Sequence, residues 1–128
     1  TLPVEGGWDG DAWLSLMDWI VGPAAAEYSP DLILISAGYD AHRDDPLGGC
    51  ALETESFAEM ARHVRALGER VGAPVGAVLE GGYDLAALAD SVCATMEALV
   101  DENEPVSVAP DFPTSRAASH IGHYWSLA

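Results

Sequence analysis

Two short stretches of this 128-residue sequence carry side chains capable of chemistry, and each follows an apolar run. The first is Ser36-Ala37-Gly38-Tyr39-Asp40-Ala41-His42-Arg43-Asp44-Asp45-Pro46-Leu47-Gly48, directly after Leu32-Ile33-Leu34-Ile35. Asp40 stands where strand pairing should cease and a carboxylate can enter a cleft, as a metal ligand, a catalytic acid or an ordinary turn residue. With His42 it forms an Asp-x-His, whose members share a face of extended chain; that spacing alone is a weak metal signal. Asp44 and Asp45 add carboxylates suited either to balancing a cation or to capping loop hydrogen bonds.

The second stretch is Leu79-Glu80-Gly81-Gly82-Tyr83-Asp84-Leu85, after Val75-Gly76-Ala77-Val78. Gly81 and Gly82 allow a backbone to approach a ligand closely or to take positive φ. Tyr83 falls between that turn and a helix start, where a phenol could donate a hydrogen bond to developing negative charge. The alternative is a tyrosine packed at a helix start with its hydroxyl in water.

The elements that must position these residues follow from periodicity. Trp13, Leu16, Met17 and Ile20 recur at helical spacing behind Asp9 or Asp11 as cap, and Pro23 interrupts that helix or begins another ending near Tyr28. Leu32–Ile35 and Val75–Leu79 are continuous apolar runs, the pattern of strands covered on both faces. Between them Thr54 or Ser56 caps a helix burying Phe57, Met60, Ala61, Val64 and Leu67, Ser56 with Glu59 fits a capping box, and Gly72-Ala73-Pro74 stops it. Asp84 caps a further helix with Leu85, Leu88, Val92, Met96 and Leu99 along one side. Residues 101–116 read as acidic, proline-punctuated loop, and His120–Trp125 as a short element docking by its aromatics. Strand, helix, strand, helix predicts an α/β architecture, a parallel sheet flanked by helices, with both motif-bearing ends pointing the same way.

Composition narrows the partners. Five basic residues against 21 acidic give a formal net charge of −16, which repels phosphate backbones and anionic lipid; nucleic-acid and membrane binding are not expected. The same charge would favour a cationic substrate or simply make a solvated acidic surface. Cys50 and Cys93 belong to no Cys-x-x-Cys pair, and the opening Thr1-Leu2-Pro3-Val4-Glu5 lacks the basic start of a signal peptide, so a reducing, cytoplasmic location is the expectation. The sequence opens on Thr1, not Met, and further sequence is expected upstream.

Together the two stretches resemble signature segments of the histone deacetylase family, nearest its class II and bacterial histone deacetylase-like amidohydrolase branch. Support runs from Leu2-Pro3 through Pro30-Asp31 to His123-Tyr124-Trp125. The resemblance implies a three-layer arginase/deacetylase-like fold, with residues 1–128 forming the C-terminal portion of the catalytic domain. It implies Zn2+ as cofactor, with Asp40 as one ligand, Tyr83 as the catalytic hydrogen-bond donor to the substrate oxyanion, Leu47 lining an acyl-lysine channel, and Gly81 and Gly82 as pocket wall. The implied substrate is acetyl-lysine in a histone or other protein, or a related acetylated amine such as an acetylated polyamine. His42 matches a family position without fixed role. The family's His-His pair and remaining zinc ligands lie upstream in its pattern, and no adjacent histidines occur here, so this fragment alone is expected to be inactive. Two other readings stay open: an arginase-like ureohydrolase with two manganese ions, and a truncated or degenerate deacetylase domain that binds or scaffolds without catalysis.

Overall fold

A computed structural model describes residues 2–127. The chain begins as α1 (Gly10–Leu16), capped by Asp9, whose carboxylate accepts the Ala12 N–H at 3.2 Å. A π-helical turn (Met17–Val21) joins it to α2 (Gly22–Tyr28) without a break. Pro23 therefore does not interrupt the path: the wide turn, closed by Gly22 N–H donating to the Met17 carbonyl, absorbs the missing proline donor. Then follow β1 (Ile33–Gly38), α3 (Thr54–Val71), β2 (Val75–Gly81), α4 (Leu85–Ala98) and α5 (Phe112–Ile121).

β1 and β2 pair in parallel, Ile33 opposite Val75 and Ala37 opposite Leu79, as the crossover through α3 requires. The result is the expected parallel sheet with flanking helices, present as a partial domain. Ile35, Ala37 and Tyr39 pack on Phe57 and Met60 of α3 and on Leu88 and Val92 of α4. The opposite face differs from the expectation of cover on both sides: Leu34 is 63 % exposed and Val78 54 %. Apolar side chains are thus presented on an open sheet face within these residues.

Helix caps and faces depart from the sequence reading in three places. The α3 cap is Glu53, whose side chain accepts the Ser56 N–H while Ser56 Oγ accepts the Glu53 N–H at 3.2 Å; the box is Glu53–Ser56, with acid and hydroxyl exchanged relative to the usual order. On α4 the buried positions are Ala87, Ser91, Thr95 and Ala98, while Leu85 and Met96 are exposed. Small residues win there because α4 lies close along α3, with Ala98 against Ala58 and Ala61; larger side chains would hold the helices apart. Finally, α5 begins inside the segment read as loop (101–116) and runs on to Ile121; Asp111 accepts the Thr114 N–H at 2.8 Å and Pro113 occupies the first turn. Buried Thr114 and Ser15 meet at 2.7 Å to dock it, whereas Tyr124 of the terminal aromatics is exposed.

Candidate active site

Both sequence stretches arrive at one end of the sheet. Parallel pairing carries the loop after β1 and the turn after β2 off the same edge, where the Tyr39 N–H still donates to the Gly81 carbonyl at 2.9 Å. Just before it the register slips: Ala37 faces Leu79 but Gly38 faces Gly81, leaving Glu80 as an extra residue. Such a bulge re-aims the chain beyond it, here the run that leads to Tyr83.

Asp40 leaves β1 into this space half-buried. Its carboxylate lies over Gly81, where an added Cβ would come within 3.0 Å of Oδ1 and 3.3 Å of Cγ, and over Gly38, where a Cβ would be 2.9 Å from Oδ1. Gly81 is therefore needed for room beside Asp40. Gly82 is needed for conformation, with φ of +131°, and an added Cβ would come within 2.9 Å of Leu88 Cδ1 and 3.1 Å of Tyr39 Cβ. Among the described residues no hydrogen-bond donor reaches the Asp40 carboxylate, so a half-buried anion keeps its lone pairs free. That suits it to be one ligand of a cation. No group of three or more His, Cys, Asp or Glu able to hold a metal occurs among the described residues, so the donor set here is one carboxylate where a catalytic zinc takes three protein ligands.

The neighbouring acids divide sharply. Asp44 is exposed, with Oδ2 3.7 Å from His42 Nδ1. His42 is buried near Phe57 at a ring separation of 6.3 Å, and its Nδ1 accepts the Asp44 N–H at 3.1 Å, a loop-structuring role. Asp45 is 8 % exposed, and its carboxylate is fully engaged by backbone. Oδ1 accepts the N–H groups of Leu47 at 2.8 Å and Gly48 at 2.9 Å; Oδ2 accepts those of Tyr83 at 2.7 Å and Asp84 at 3.4 Å. Burial pushes the Asp45 carboxyl up, but the N–H donors of Tyr83, Gly48, Leu47 and Asp84 outweigh it and hold the group below the usual carboxylate range. This bridging contribution is present above the unfolded carboxylate range and is lost as pH falls through the lowered value. The sequence leaves Asp45 open between cation balance and loop capping. A carboxylate followed by Pro46 in a tight turn was the available signal, but its long-range partners were not legible.

Of the residues singled out from sequence, Asp40 and Gly81 are in contact, and Leu47 and Tyr83 hang from one carboxylate. Both Leu47 and Tyr83 project outward, 73 % and 55 % exposed. Clefts of about 430 and 510 Å3 lie elsewhere, one beside α5 and one between the π-helical turn and α3, and neither is lined by Asp40 or Tyr83. Gly48 locks the loop to Asp40: a Cβ on it would fall 1.5 Å from the Asp40 carbonyl oxygen. Gly48→Ala is expected to destabilise by about 1–3 kcal/mol or more, because backbone cannot yield as a side chain does. Gly49→Ala, whose Cβ would meet only Gly6 Cα at 4.0 Å, should stay within about 0.5 kcal/mol. Denaturant unfolding of the two variants decides; equal stabilities would refute the packing argument.

Residues 1–99 match the family described as the histone deacetylase domain. The chain is 41 % identical over 102 residues to histone deacetylase 10, chloroplastic, of Oryza sativa subsp. japonica, covering 79 % of this chain and 23 % of that protein. It is 39 % identical over 99 residues to the human polyamine deacetylase HDAC10, covering 77 % of this chain and 14 % of the relative. Among solved structures, the HDA15 HD domain superposes with a TM-score of 0.76 at 29 % identity, over 93 % of this chain and 33 % of that one. The chain thus spans about a quarter or less of the two relatives' lengths.

Proposed function

Because the chain belongs to the histone deacetylase family, we propose that it forms the C-terminal portion of a zinc-dependent deacetylase acting on acetyl-lysine or an acetylated polyamine, within a longer chain. The observation that supports this best is the shared sheet edge, where a carboxylate with free lone pairs and a tyrosine-bearing turn leave adjacent parallel strands. Asp40 supplies one anionic oxygen donor to the metal. Bound zinc would polarise the acetyl carbonyl and lower the pKa of its water. Tyr83 donates its phenolic O–H to the oxygen that becomes negative as the amide carbon turns tetrahedral. Leu47 offers apolar surface to the substrate's methylene stem, and Gly81-Gly82 keep the wall free of side chains where the acyl group sits. The remaining ligands and the proton-transfer histidines come from sequence outside this chain, whose surfaces would also cover the open face of Leu34 and Val78.

A net charge of −16 supports a cationic carrier for the acetyl group, which both a basic peptide and a polyamine provide. The test is acetate release by the full-length protein from an acetyl-lysine peptide and from an acetylated polyamine, before and after chelation. Activity lost to chelator and restored by zinc is expected. No acetate from any acetylated amine would defeat the deacetylase reading, and two bound manganese ions in place of zinc would turn it toward an arginase-like site.

A further inference from the structure

We infer that Asp45 is a positioning residue for the proposed reaction: its carboxylate sets where Tyr83 stands relative to the Asp40 loop and to Leu47. The inference rests on the reading of Tyr83 as the oxyanion donor. After the Tyr39–Gly81 bond the strand ladder ends, and the loop and turn beyond it are no longer paired with each other. Among the described residues, every hydrogen bond from loop 40–52 to turn 82–84 runs through Asp45.

One oxygen holds the Leu47–Gly48 backbone and the other holds the Tyr83–Asp84 backbone. Gly48 in turn lies directly on the Asp40 carbonyl. The loop carrying Asp40 and Leu47 has backbone bonds of its own, Arg43 N–H to the Leu52 carbonyl at 2.8 Å and Leu52 N–H to the Ala41 carbonyl at 3.2 Å, so it is the Tyr83 turn whose place depends on this one carboxylate. Asp45 performs no chemistry itself, since it is buried and both of its oxygens already face N–H donors. The side chain must be a carboxylate of this length. An asparagine has the same shape but presents an NH2 on one side, which cannot accept, so one of the two backbone pairs is released.

The experiment is a double-mutant cycle in the full-length enzyme with Asp45→Asn, Tyr83→Phe and the double variant, reading kcat, KM and bound zinc. In the wild-type background Asp45→Asn should lower kcat roughly 10- to 100-fold, the scale of a misplaced reacting group, with KM and zinc content nearly unchanged. In the Tyr83→Phe background the same substitution should cost less than about threefold, because the group it positions is already gone. Equal fold losses in both backgrounds, with Tyr83→Phe itself impaired, would overturn the positioning role and leave Tyr83's role standing. Wild-type turnover in Tyr83→Phe alone would instead remove the reading beneath it. Should Asp45→Asn fail to fold, Asp45→Glu, which keeps both acceptors on a stem one methylene longer, goes through the same cycle under the same criteria.

Discussion

Tyr83→Phe in the full-length enzyme is expected to lower kcat by roughly a hundredfold or more, the loss that follows removal of one oxyanion donor. Stability should change by no more than about 0.5 kcal/mol. The structure supports that separation. The phenol is 55 % exposed, so its hydroxyl is not part of a packed interior. What anchors the residue is its backbone N–H, donated to Asp45 at 2.7 Å, and phenylalanine keeps that bond. Binding of ground-state substrate should also survive, since the hydrogen bond matters most when charge builds on oxygen; kcat falls and KM holds. Steady-state kinetics with an acetyl-lysine peptide, beside a thermal melt, is the measurement. Turnover within about twofold of wild type would take Tyr83 out of the chemistry.

Asp40→Ala should empty the metal site as well as stop turnover. Loss of an outer-shell partner costs roughly 10- to 100-fold in metal affinity, and removing a direct ligand should cost at least that. The cause is specific to this position. The carboxylate is walled by Gly38 and Gly81, neither of which has a side chain to replace it. The nearby acids are otherwise placed: Asp45 is engaged by four backbone N–H groups, and Asp44 is exposed beside His42. Metal analysis after dialysis against zinc buffer gives the result. A variant that retains stoichiometric zinc with unaltered affinity would strike Asp40 from the ligand set, whatever its activity.

The contrast between Asp40 and Asp45 shows how far composition and spacing reach. Both are acids in one short loop, and sequence alone allowed either to face a cation. Asp40 could be singled out because it stands just past the end of the strand that the apolar run Leu32–Ile35 begins, and strand ends are where side chains leave the ladder. Asp45 could not be separated from Asp44, because the bonds that distinguish them reach Tyr83 and Asp84, 38 and 39 residues away. Helix faces failed for a related reason. Leu85 and Met96 fit the apolar period of α4, yet Ala87, Ser91, Thr95 and Ala98 are buried, since the helix spacing set by Ala58 and Ala61 admits only small residues there. At α5 the signal was local and present: Asp111 two residues ahead of Pro113 is a cap followed by a first-turn proline.

The amino-acid sequence by itself determined the two strands and the helices before and between them and after the second, though not α5, and it determined that the strands run parallel, that their ends share an edge, and that Asp40 and Tyr83 sit at those ends. Each of these follows from short-range patterns of apolar residues, turns and caps. Only the tertiary structure decided what joins the two ends: the bulge at Glu80, the glycines that make room for a carboxylate, and Asp45 bridging loop to turn. Those depend on contacts between residues far apart in the chain, whose energies arise only when the parallel pairing has brought their backbones within hydrogen-bonding reach.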